Sequence, residues 1–279
     1  MSELLQHSIT KSQVESFLGK PTHALLLEGA VGAGKTFLAT HIASRLLDIP
    51  PDGLTRYPYF WVISPEGSSI SITQIRELKQ QFVLKIPGVQ TIKRVAIIEH
   101  ADTMTTEAQN ALLKLLEEPP NDSALILTTA NKHLLLPTVV SRTSRIMVHN
   151  VSSEQLTKIT DDTSITRLAY GRPGLAHSMA NDSEHPLKDS IALCKKALAG
   201  SKKERLLLVN DLTTSRSVAQ GFLNALVMTA SAALNQSARS NPEASKQWHH
   251  TLYEAIRAEN ALNENANLKL ILTDLMVHL

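Results

Sequence analysis

The sequence predicts an α/β domain on a mainly parallel sheet, followed by a small helical lid and an all-α C-terminal domain. Three observations carry this. From His23 to about His149, short apolar β-type runs alternate with longer segments whose apolar residues recur every three or four positions. After Asn150 the strand signals stop, and from Leu187 onward only helical periodicity remains. The expected division is residues 1–149, 150–182 and 183–279.

The expected strands are His23 to Leu27, Tyr59 to Ile63, Arg94 to Glu99, Ala124 to Thr129 and Ser144 to Val148. Lys35 to Leu47, Ile72 to Val83 and Thr106 to Leu116 read as crossover helices, and Pro119-Pro120 stops the last of them. Ser153 to Ile159, Asp162 to Tyr170 and Pro173 to Ala180 form the lid, punctuated by Gly171 and Pro173. A polar stretch, Asn181 to His185 followed by Pro186, separates it from helices expected over Leu187 to Ala199, Lys203 to Asp211, Val218 to Leu234, Ala244 to Glu259 and Asn267 to Leu279.

A chain of 279 residues, 43% hydrophobic and 19% charged, is too large and apolar for a disordered tail or a disulfide-stapled miniprotein. Its one cysteine, Cys194, can form no internal disulfide and is expected as a buried small hydrophobe. No run approaches eighteen uninterrupted apolar residues, and MSELLQHSITKSQ lacks a basic head followed by an apolar block, so a cytoplasmic protein without a membrane span is expected. With 28 Lys and Arg against 26 Asp and Glu the charge is too even for a dedicated nucleic-acid binder. Aromatics at 4% argue against a stacking platform for single strands. His249-His250 beside Trp248 lacks cysteines or acids at ligand spacing, which argues against a metal site there.

The strongest local signal is Gly29-Ala30-Val31-Gly32-Ala33-Gly34-Lys35-Thr36, which matches the phosphate-loop pattern and falls between a strand and a helix. The glycines let backbone N–H groups converge on phosphate oxygens, and the new helix points its positive end at them. Lys35 would span the β- and γ-phosphates, and Thr36 would offer its hydroxyl to Mg²⁺. The strand Val95 to Ile98 is expected beside the first strand, delivering its next residues to the metal, where phosphate-loop proteins place an acid. Those residues are Glu99 and His100. Glu99 can accept a hydrogen bond from metal-bound water, and His100 can orient water but is a different base from a carboxylate. The expectation is a site that binds nucleotide and hydrolyses it poorly.

GAVGAGKT, RVAIIEHADTMTTEAQNALLKLLEEPP from Arg94 to Pro120 and LILTTANKHLLLPTVVSR from Leu125 to Arg142 strongly resemble the AAA+ subunits of clamp loaders. The likeness extends to AYGRPGLA in the lid and NANLKLILTDLMVHL at the end. It implies an AAA+ nucleotide-binding domain, a three-helix lid and a helical collar that joins sister subunits, gamma/tau-like and delta-like, in a hetero-pentameric ring. That ring acts on a sliding clamp and primed DNA, with ATP or ADP and Mg²⁺ as cofactors. In this family a serine-arginine pair lends an arginine finger to the neighbouring subunit's ATP, and it matches Ser141-Arg142 here.

The departures narrow the reading. The usual aspartate-glutamate pair is Glu99-His100, the sensor position falls on Thr129, Ala130 or Asn131, and Gly174 stands where motor subunits carry an arginine. The four-cysteine zinc module of many relatives is absent, and Ile49 to Pro58 is a short connection. These features imply a stator-type subunit that binds nucleotide and triggers its neighbour. Two alternatives stay open: an ATPase motor of the gamma/tau type, or an AAA+ nucleotide switch outside replication.

Overall fold

The computed structural model describes residues 5–83, 86–87, 91–181, 186–237, 241–263 and 266–279. The expected polar separator, Asn181 to His185, falls mostly outside them. In chain order the first elements are α1 (Ser8–Gly19), β1 (Ala24–Glu28), α2 (Lys35–Leu47), α3 (Pro51–Leu54), β2 (Phe60–Ile63), α4 (Ile72–Phe82), β3 (Arg94–Ile98), α5 (Thr106–Glu117), β4 (Ser123–Thr129), α6 (Pro137–Val140) and β5 (Ser144–Met147). Then come α7 (Ser153–Leu156), α8 (Thr163–Ala169), α9 (Pro173–Asn181), α10 (Pro186–Ala199), α11 (Lys202–Leu212), α12 (Arg216–Ser237), α13 (Pro242–Asn263) and α14 (Leu268–His278).

All five strands are parallel and lie in the order β2-β3-β4-β1-β5. This corrects one expectation: β3 does not lie beside β1, because β4 is inserted between them. After β1 the chain crosses to the far edge and returns strand by strand, so β4 fills the place next to β1. With neighbouring strands about 4.8 Å apart, the end of β3 starts roughly 10 Å from the end of β1. β4 and β5 lie on opposite sides of β1, which puts the loop after β1 at the switch point where parallel sheets open a crevice.

Strands β1, β3 and β4 are buried along nearly their whole length because both faces are covered. Alternate residues serve opposite layers. Leu26, Ala96, Ile98, Leu125 and Leu127 pack with Ile75, Leu78 and Phe82 of α4 and with Leu112 and Leu116 of α5. Leu25, Leu27, Val95, Ile97 and Ile126 pack with Val14 of α1 and with Leu38, Ile42 and Leu47 of α2. Each such Val, Leu, Ile or Phe side chain contributes about 1.5–3 kcal/mol on burial. Capping fixes the helix starts: Ser71 and Gln74 form a reciprocal box at α4, and Thr105 accepts from Ala108 N at α5.

The chain divides into two compact units, one of residues 1–156 with 171–175, the other of 157–170 with 176–279. In the second, α10 and α13 pack along α12, and α11 and α13 pack on α14. Phe222, Leu223 and Leu226 of α12 are fully buried, as is Cys194. By length and composition α12 would suit a membrane span, although Gln220, Asn224 and Asn235 interrupt its apolar residues.

Candidate functional site

The loop after β1 has the conformation its glycines predict. Gly32 and Gly34 lie at φ +80° and +87°, in the left-handed region that favours glycine. A Cβ on Gly29 would sit 2.8 Å from Val148 O. Gly34 is the N-cap of α2 and supplies no side-chain cap, so the first N–H groups of that helix face the loop. Lys35 is 7% exposed, and its Nζ donates to Gly29 O at 2.8 Å and Ala30 O at 2.9 Å. Burial pushes its pKa down, and the negative charge of Asp102 opposes that shift. Thr36 stands exposed on the first turn. A glycine cradle, an uncapped helix start and a buried ammonium suit a polyphosphate with its counter-ion.

Residues 171–175 lie against this loop. Leu175 N donates to Gly32 O at 3.1 Å, and a Cβ on Gly174 would meet Gly32 O at 3.0 Å and Gly34 N at 3.3 Å. A side chain at position 174 would therefore press on the loop backbone, which would have to give by a few tenths of an ångström. Arg172 donates from Nη1 to Val31 O at 3.5 Å, and burial lowers its pKa.

At the end of β3 the two motif residues turn elsewhere. Glu99 Oε2 accepts from Ser64 Oγ at 2.7 Å, and Glu99 N donates to Ile63 O, both at the end of β2. His100 is exposed at φ +49°, and its N–H donates to Thr128 Oγ1 of β4. A 3₁₀ turn, Ala101–Thr103, follows and carries Asp102, which the sequence reading passed over. The available signal was an acid two residues past His100.

Of the sensor candidates, Thr129 is fully buried at the end of β4, where its carbonyl accepts from Gly29 N and its hydroxyl from Asn131 N. Ala130 follows. Asn131 is exposed, and its Oδ1 caps the next turn by accepting from His133 N. Thr129 thus adjoins the phosphate loop, while Asn131 is spent on local structure. Beyond it, Lys132 Nζ lies 3.2 Å from Glu28 Oε2.

Arg142 follows α6 on a corner of the same unit. Its Nη2 is 2.9 Å from Glu117 Oε1 at the end of α5, and its Nη1 donates to Thr138 O. The side chain is 36% exposed, so both bonds are open to displacement. Gln109, buried in α5, donates to Met104 O and Leu134 O and accepts from Leu136 N, tying the turn after β3 to the segment before α6.

A cavity of about 770 Å³ opens at the other end of the sheet, lined by Phe82, Arg94, Leu115 and Asp122 among others. There the buried Arg94 pairs with Asp122 at 2.9 Å and donates to Phe82 O. That bonding holds the Arg94 guanidinium, whose Nε is buried without a partner. Glu254, Asp274 and His278 also converge, but Arg257 bridges both carboxylates.

A parallel sheet ordered in this way, with a phosphate loop at its switch point and helices behind it, defines a P-loop domain of the AAA+ class. A DNA polymerase III gamma subunit-related protein from Thermotoga maritima shares the fold at a TM-score of 0.57 and 20% identity, with 96% of this chain and 97% of that one covered. Residues 6–152, just over half of the chain, match the family described as DNA polymerase III, delta subunit, and the chain belongs to that family. Relatives include the DNA polymerase III subunit delta′ of Bacillus subtilis, 33% identical over 50% of this chain and 44% of its own length. That of Pseudomonas aeruginosa is 35% identical over 43% and 41%. The tau subunit of B. subtilis is 28% identical over 79% of this chain and 41% of its own length. These matches span less than half the length of each relative.

Proposed function

We propose that the chain is a delta-prime-like stator of a clamp loader, which binds ATP or ADP at Gly29 to Thr36 and lends Arg142 to the ATP of a neighbouring subunit. The observation that carries this is the pairing of an intact phosphate loop with a motif acid, Glu99, bonded to Ser64, in a chain of this family. Lys35 would leave the carbonyls of Gly29 and Ala30 for the phosphates, and the Thr36 hydroxyl would meet the Mg²⁺ that screens their charge. Thr129 would sense the phosphates from the end of β4. Glu99 and His100 are the family's positions for hydrolysis, but an acid bonded to Ser64 and an exposed imidazole support slow turnover.

Arg142 is held by one surface ion pair and one carbonyl, weak bonds that a γ-phosphate from an adjoining subunit can replace. The proposed organisation is the AAA+ domain 1–149, lid 150–182 and collar 183–279, within a cytoplasmic hetero-pentameric ring of gamma/tau-like and delta-like subunits acting on a sliding clamp and primed DNA. The test is purification of the chain from its own cells at moderate salt with quantitative mass spectrometry. One copy beside several copies of another P-loop subunit supports the stator. Several copies of this chain would make it a motor of the gamma/tau type, which the longer likeness to a tau subunit favours. Absence of any polymerase III subunit would point to a switch outside replication.

A further inference from the structure

We propose that Glu117 is a latch on the finger, a positioning residue that parks Arg142 against α5 and so holds down the neighbour's turnover until the neighbour's phosphate displaces it. This rests on the reading of Arg142 given above and adds its regulation. The first reason is where the guanidinium points. An arginine grips a phosphate with two N–H bonds of its fork, and both terminal nitrogens are spent inside the chain. Nη2 lies 2.9 Å from Glu117 Oε1, and Nη1 donates to Thr138 O at 3.0 Å. A residue that aimed the finger outward would leave those ends open. The backbone below is fixed, because Val139 of α6 is fully buried and Arg142 N donates to its carbonyl. Engagement therefore needs only the side chain to swing.

The second reason is that both partners of the parked arginine have a substitute at hand. Thr138 O also accepts from Ser141 Oγ at 3.1 Å, so it keeps a donor when Arg142 leaves. Glu117 stands three residues after Lys114 on α5, a spacing at which opposite charges pair on a helix, and both line the same cavity. Release strands neither the carbonyl nor the carboxylate, which keeps the two arrangements close in free energy, as a switch requires. The helix supplies a third reason. Glu117 is the last residue of α5, where a negative charge opposes the helix dipole, and its bond to Arg142 is the compensation.

The experiment is steady-state ATP turnover by the complex reconstituted from this chain and the subunits that purify with it, at equal assembly checked by native mass spectrometry. The variants are Glu117→Gln, Glu117→Lys, Arg142→Ala, the double variant Glu117→Gln/Arg142→Ala and, as a control, Glu118→Gln. Exposed ion pairs are weak, so Glu117→Gln is expected to raise turnover about two- to fivefold. Glu117→Lys, which repels Arg142, should raise it at least as far, and Glu118→Gln should match the unmodified complex. The gain should vanish in the double variant, whose turnover should equal that of Arg142→Ala; a merely structural effect at position 117 would persist there. Turnover unchanged or lowered in both Glu117 variants while Arg142→Ala loses activity overturns the latch and leaves the finger standing. So does a rise that persists in the double variant. Unchanged turnover in Arg142→Ala overturns both.

Discussion

The ends of β1 and β3 carry the two halves of one apparatus and have fared differently. At β1 every feature that suits a phosphate is in place: glycines at positive φ, an uncapped helix start and a buried lysine. At β3 the motif acid is bonded to Ser64 and the histidine faces solvent. Binding and hydrolysis make separable demands. A cradle depends on backbone shape, which glycines secure locally, whereas positioning an attacking water depends on one side chain aimed across a strand.

The largest effect expected to break this contrast is at Lys35. Lys35→Ala should weaken nucleotide binding roughly ten- to a hundredfold in Kd, since a charge-assisted bond to phosphate contributes about 1.5–3 kcal/mol. Undiminished binding of a fluorescent nucleotide would remove the phosphate loop from the account. Next is Gly174→Ala. The added methyl meets Gly32 O at 3.0 Å and Gly34 N at 3.3 Å, so a cost of about 1–3 kcal/mol is expected, read as a lower Tm together with weaker nucleotide binding.

Smaller effects are expected at the end of β3. Glu99→Gln and His100→Ala should each change nucleotide affinity by less than about threefold, because neither side chain is bonded toward β1. A tenfold change in either titration would show that β3 keeps its motif role. The smallest effect is a control in the helical unit. Burial raises the Cys194 thiol to about 11, above the 9 of a free thiol. The unfolded chain then ionises first, so stability should fall as pH rises past about 9. At pH 8 Ellman's reagent should label Cys194 only upon unfolding, and prompt labelling of the native chain would contradict that burial.

The strands were legible because each is a short apolar run that both layers cover, and α2, α4 and α5 because their periodicity is strong. α1 escaped notice because its inward face is small, with Thr10, Val14 and Phe17 buried and Leu18 partly so within a polar segment. The order of the sheet was not legible. Local pattern says that β3 exists but not that β4 separates it from β1. Gly174 was noticed as a missing arginine, whereas its contact with the loop required coordinates.

The most direct test of the account is ATP turnover by the reconstituted complex with Arg142→Ala in this chain. The account predicts that the chain's own nucleotide affinity is unchanged while the neighbour's turnover falls roughly a thousandfold, as loss of an arginine finger does. Unchanged turnover in a fully assembled complex would contradict it.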